Sequence, residues 1–246
     1  MKFEDLIRTS LYNKQSRIML ALDLEMQNSQ LLIEQCNKIV EDVKNYICAV
    51  KINRQLLLSL GLPAVTEIVR RAHSNSLPVI MDAKINDVGH TNAFMMRCYV
   101  QAGFDAVIAS PVVGWEDGMD SIFKLASEHE RGIILLIYMS NPGAEPFYSM
   151  IAEGYHGKAI FEIFAELAVQ WKADGVVVGA TRPQVIKRVR SIIGPSMAIY
   201  SPGVGVQGGD AREAIQAGAT YLIVGRAIYG SPKPAEAARA LFDQAK

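Results

Sequence analysis

"PVIMDAKINDVGHTN", residues 78–92, opens as an apolar run and then places Asp82, Lys84 and Asp87 within six residues. An unbroken apolar run fits a strand covered on both faces, because a strand with one wet face would alternate apolar and polar side chains. The pattern recurs as "IMLAL" from Ile18, "YICAV" from Tyr46, "DAVIA" from Asp105, "IILLIY" from Ile133, "GVVVG" from Gly175, "MAIY" from Met197 and "YLIV" from Tyr221, making eight candidate strands. Segments with helical spacing lie between them, such as "EMQNSQLLIEQCNKIVEDVKNY" (25–46), "PAVTEIVRRAHS" (63–74) and "KAIFEIFAELAVQWKADG" (158–175), and several close on Gly, the usual helix stop. Strand and helix alternate without a Pro/Ser-rich linker or a shift in composition. The spacing therefore predicts one α/β domain over residues 1–246, a (β/α)8 TIM barrel with an extra N-terminal helix at 3–12 and a last helix at 233–245. A doubly wound open sheet is the runner-up.

Composition narrows the function classes. The 246 residues are half hydrophobic, and 25 basic residues balance 25 acidic ones with no basic block, which argues against nucleic acid and anionic membranes as partners. The N-terminus lacks a signal-peptide core, and the longest apolar run is too short to span a bilayer, so a soluble cytoplasmic protein is expected. Cys36, Cys48 and Cys98 are odd in number and widely spaced, as packed reduced thiols are. His73, His90, His129 and His156 form no HxH or HxxxH pair, so no metal site is expected. Trp115, Trp171, Met95 and Met96 look like packing residues, and the long segment 141–157 suits a lid or a subunit contact.

In a parallel barrel the site lies at the C-terminal ends of the strands. Read there in order, the sequence offers Asp23, Lys51, Asp82 with Lys84, Ser140, "SPGVGVQGGD" from Ser201, and "GRAIYG" from Gly225. An extended chain puts Asp82 and Lys84 on one face, and with Lys51 and Asp87 they predict an alternating Lys–Asp–Lys–Asp set in which each charge holds its neighbour ionised. The Gly-rich loop after the seventh run and Gly225-Arg226 after the eighth have the chemistry of a phosphate site: backbone N–H groups, helix starts, the Gln207 amide and a forked guanidinium.

Together these motifs resemble the orotidine 5'-monophosphate decarboxylase family: "LALD" (20–23), "VK" (50–51), "DAKINDVGHTN" (82–92) against D-x-K-x-x-D, "SNPGA" (140–144), "PGVGVQGGD" (202–210) and "GRAI" (225–228). They stand in the family's order from about residue 17 to 230; Gly89-His90 replaces a frequent Pro-containing turn. The resemblance implies a cofactor-free, metal-free decarboxylase of orotidine 5'-monophosphate, in which Lys84 protonates C6 and Asp82 faces the departing carboxylate. It also implies that Asp23 and Lys51 bind ribose hydroxyls, Ser140 and Gln207 read the pyrimidine, and Pro202, Gln207, Gly225 and Arg226 surround the phosphate. By the same resemblance Asp87 and Thr91 reach across a homodimer interface into the partner's site. The rivals are a magnesium-dependent 3-keto-gulonate-phosphate or hexulose-phosphate enzyme on the same barrel, and a non-catalytic phosphate-binding barrel.

Overall fold

The computed structural model describes residues 1–245, in which each apolar run forms a strand. These are β1 (Ile18–Leu22), β2 (Ala49–Asn53), β3 (Val79–Ile85), β4 (Ala106–Ala109), β5 (Gly132–Tyr138), β6 (Gly175–Val178), β7 (Ala198–Pro202) and β8 (Tyr221–Val224). Every neighbouring pair is parallel, and the sheet closes with Ile18 of β1 opposite Leu222 of β8. Closure excludes the open-sheet alternative. Around it stand α1 (Phe3–Lys14), α2 (Ser29–Val43), α3 (Arg54–Ser74), α4 (Gly89–Gln101), α5 (Asp120–Glu128), α6 (Ile160–Gln170), α7 (Pro183–Ile193), α8 (Ala211–Gln216) and α9 (Pro234–Gln244).

Two elements depart from the periodicity. β2 and β3 run on through Lys51 and Asp82–Lys84, so the charges lie inside the strands and not after them. Backbone pairing does not require apolar side chains, and the last layer of a barrel opens into its mouth. The helix expected from Pro63 begins at Arg54 and is broken where Gly61 has φ 75, just before Pro63.

The core has two layers. Between barrel and helices lie residues such as Leu32, Ile39, Ile68, Val69, Ile186 and Val189. Inside the barrel Met19, Ala49, Ile80, Ile134, Tyr200 and Tyr221 pack with Phe3 and Ile7 of α1, which plugs the N-terminal mouth. A Cβ on Gly132 would lie 2.2 Å from the Phe3 ring, so that strand admits the plug only because it starts with glycine.

The same end is latched by side chains that take up the strands' early N–H groups. Asp105 accepts from Val79 N at 2.8 Å, Asp174 from Ile133 N at 2.8 Å, and Thr220 Oγ1 from Ile199 N at 3.0 Å. Asp105 is also paired with His73 Nε2 at 2.8 Å and Arg131 Nη1 at 3.1 Å, a structural role for His73 that its scattered position in the sequence did not suggest. Cys36 and Cys48 are buried and unbonded, and burial pushes the Cys36 thiol up to about 12. Trp115 is partly exposed in an irregular turn, its ring 5.3 Å from that of Trp171. Residues 141–157 fold into two short helical turns, the strand Ile151–Ala152, which pairs antiparallel with Lys158–Ala159, and one further turn. Among the described residues no helix is long and apolar enough to cross a membrane.

Candidate active site

At the C-terminal mouth the strands' inward positions change from apolar to charged. Ala21 is followed two residues on by Asp23, Ala49 by Lys51, and Ile80 by Asp82. Lys51 is 5 % exposed, and its Nζ lies 2.9 Å from Asp82 Oδ2 and 3.2 Å from Asp23 Oδ1. Lys84 Nζ lies 2.6 Å from Asp82 Oδ1. The result is one chain of alternating charge, Asp23, Lys51, Asp82, Lys84.

Burial alone would lower the Lys51 pKa, but the carboxylates of Asp82 and Asp23 outweigh it and hold it above the ordinary lysine value. Burial would raise that of Asp82, but Lys51 and Lys84 outweigh it and hold the carboxyl below the ordinary range. Lys51 and Asp82 therefore keep their charges although both are largely buried.

Lys84 reaches Asp82 by a different route from the plain alternation expected. The β3–β4 register shifts between Met81 and Ile85, and Lys84 has φ 47, a left-handed conformation that costs a non-glycine residue on the order of 1 kcal/mol or more. The irregularity keeps both side chains on one face and turns the amine back onto its partner.

These residues form one wall of a cavity of about 260 Å³ whose floor is Ile108, Leu136, Val177 and Ile223. Ser140, Pro202, Gln207, Gly225 and Arg226 line the same cavity. The loop after β7 is folded on itself, Gly209 N donating to Gly203 O at 3.0 Å and Gly208 N to Gly205 O at 2.7 Å. Gly203 has φ 98, and a Cβ there would lie 2.9 Å from Gln207 Oε1 and 3.0 Å from Ser140 Cβ, so glycine is what lets the loop approach β5. The helix start that follows this loop is not open to an anion, because the Asp210 carboxylate caps α8 by accepting from Glu213 N at 2.9 Å. The open start lies at Gly225, where the turn Arg226–Tyr229 has no side-chain cap.

Asp87 is the expected member of the charge set that the chain does not bring in. It is exposed, off the cavity wall, and its Oδ1 accepts from Val88 N at 2.7 Å. It lies beyond the end of β3, where the backbone turns outward to α4, and Asn92 fixes that turn by accepting from Asp87 N at 2.9 Å and donating to Gly118 O at 3.1 Å. Asp23 takes its place in the alternation. Thr91 is likewise absent from the wall.

Two polar lining residues escaped the sequence reading. Asn53 is the next inward position after Lys51, and Tyr229 lies one helical turn after Arg226, its hydroxyl donating to Asp23 O at 3.3 Å. Both spacings are visible in the sequence, but neither residue bears a charge. Beyond Asp23, Arg226 and Tyr229 the cavity continues into an open groove lined by Glu25, Gln35 and Gln55. Among the described residues no three His, Cys, Asp or Glu side chains are grouped to hold a metal ion.

The chain is 37 % identical over 231 residues to an orotidine 5'-phosphate decarboxylase of Methanococcoides burtonii, covering 94 % of this chain and 98 % of that one. It is 36 % identical to one of Pyrococcus abyssi, covering 92 % and 98 %. The solved orotidine 5'-monophosphate decarboxylase of Methanocaldococcus jannaschii, complexed with the inhibitor BMP, superposes with a TM-score of 0.79 at 31 % identity, covering 94 % of this chain and 99 % of that one. Leishmania donovani OMP decarboxylase, at 24 % identity and covering 100 % and 98 %, shares the fold with a TM-score of 0.88. The model of the orotidine 5'-phosphate decarboxylase / HUMPS family matches residues 16–241, and the chain belongs to that family.

Proposed function

We propose that the chain decarboxylates orotidine 5'-monophosphate to UMP and carbon dioxide. One observation carries the reading: the Asp23, Lys51, Asp82, Lys84 chain and the Gln207 and Arg226 side chains line a single cavity. The bond from C6 to the carboxylate breaks, its electron pair stays on C6, and the Lys84 ammonium supplies the proton that neutralises it. Lys84 then recovers a proton from solvent. Asp82 holds Lys84 in place and faces the departing carboxylate. Asp23 and Lys51 hold the ribose, Ser140 and Gln207 the pyrimidine, and Pro202, Gln207, Gly225 and Arg226 surround the phosphate.

Magnitudes favour charge stabilisation over repulsion. Two like charges about 4 Å apart repel by roughly 4 kcal/mol at an effective dielectric of 20. A demanding reaction needs up to about 23 kcal/mol of acceleration, so repulsion from Asp82 is a minor contribution. Stabilisation of the developing carbanion by a fixed ammonium is the larger effect in a water-poor, preorganised site.

The same reading makes the protein a homodimer in which Asp87 and Thr91 complete the partner's site. Asp87 is exposed and Thr91 half-buried, both off the chain's own cavity, which is compatible with that, as are the exposed Val88 and Phe94 beside them.

The test is loss of orotidylate absorbance with purified protein and a chelator present. Turnover by the wild type, none by Lys84→Ala, and retained UMP binding by that variant are expected. Chelator-sensitive activity on a keto-sugar phosphate would favour the magnesium-dependent rival, and UMP binding without turnover the silent barrel.

A further inference from the structure

Gln207 and Arg226 line both the cavity and the open groove of about 680 Å³ that continues from it. A phosphate held between them sits at the junction, and any group attached to that phosphate enters the groove. The groove has room for one, so size does not exclude a longer ligand. Its charge is unlike that of a phosphate site. Among the described residues that line it Arg226 is the one cation, already engaged by the first phosphate, while Asp23 and Glu25 are carboxylates and Gln35 and Gln55 are neutral. Glu25 is exposed in the connection between β1 and α2, and it lines the groove but not the cavity. Its Oε1 accepts from Gln55 Nε2, which ties the carboxylate to a second residue of the groove wall.

We infer that Glu25 is a specificity-determining residue that turns away nucleoside di- and triphosphates, whose second phosphate has to lie in the groove beside its carboxylate. The inference rests on the nucleotide reading above, in which Gln207 and Arg226 surround the phosphate. The nucleoside part of such ligands fits the cavity as well as that of the monophosphate does, so they compete for the site unless something beyond the first phosphate rejects them. A like charge placed there is a repulsive element of that kind, and it costs the monophosphate little because Glu25 stands outside the cavity. At an exposed position the effect is a few-fold in affinity and is screened by salt.

Calorimetric titration with UMP, UDP and UTP, free of divalent cations, tests the assignment. The wild type should bind UDP more weakly than UMP. Glu25→Gln keeps an oxygen for Gln55 and removes the charge, and the ratio of UDP to UMP affinity should rise about two- to fivefold, that of UTP to UMP at least as much. Contacts common to the ligands cancel in these ratios. In about 1 M salt, where the screening length falls to about 3 Å, the two proteins should give the same ratio. Glu25→Lys should raise the ratio further, and it decides the matter if Glu25→Gln does not fold. A ratio unchanged by the substitutions, or a rise that persists in high salt, would overturn the inference and leave the nucleotide reading standing. Absence of UMP binding by the wild type overturns both.

Discussion

Replacing Lys51 with Met keeps an unbranched side chain one atom shorter and removes its charge from between two carboxylates. Lys51 Nζ stands 2.9 Å from Asp82 and 3.2 Å from Asp23, and at an effective dielectric of 20 each attraction is roughly 5–6 kcal/mol. Met needs no hydration, which offsets part of that loss, but Asp82 is left with Lys84 alone and Asp23 with no partner cation among the described residues. Breaking a buried pair from one side typically costs about 3–5 kcal/mol, here a fall in Tm on the order of 10 °C.

The pH dependence carries a definite sign. Asp82 has a lowered pKa in the folded protein, so its contribution is present above the ordinary carboxylate range and is lost as pH falls through the folded value. Lys51 has a raised pKa, so its contribution is complete below the ordinary lysine value and is lost only as pH climbs through the raised one. Lys51→Met lacks the Lys51 effect and keeps only the Lys84 share of the Asp82 one, so its deficit should shrink as the pH falls below the ordinary carboxylate range. Urea midpoints measured across pH for both proteins decide the matter. A variant as stable as the wild type at neutral pH, or a deficit unchanged in acid, would refute the reasoning.

Phe3→Ala should cost roughly 3–5 kcal/mol in urea unfolding while turnover per folded molecule stays near normal, because the plug and the site lie at opposite ends of the barrel. Gly203→Ala should weaken UMP binding in calorimetry, since its Cβ has room only if Gln207 or Ser140 moves. Arg226→Ala should lower kcat/KM by about 10- to 150-fold, the equivalent of one charge-assisted hydrogen bond of roughly 1.5–3 kcal/mol; an unchanged kcat/KM would remove the phosphate from its assignment.

Apolar runs made the strands countable, because a strand covered on both faces must be apolar throughout, and the Gly stops between them made the helices countable. The charged strand ends likewise pointed to one mouth. Charge made Asp23, Lys51, Asp82 and Lys84 conspicuous, whereas Asn53 and Tyr229 line the same cavity and were missed because a neutral side chain at a strand end or in a short helical turn is unremarkable by spacing alone. His73 escaped for another reason: its partner Asp105 is 32 positions away, and the pairing of β3 with β4 brings them together.

What the sequence determined by itself was local and periodic: where strands and helices lie, which ends carry charge, and which loop is rich in glycine. Tertiary structure alone decided the partners. The alternating set closed through Asp23 and not Asp87, because β1 and β2 are neighbours in the ladder while the chain has already turned outward at Asp87. Lys84 meets Asp82 through a strand irregularity at positive φ, and Asp210 covers the helix start that the Gly-rich loop leads into. Pairing between charges depends on distances of a few ångströms between residues far apart in the chain, and those distances are set only when neighbouring strands pair in register.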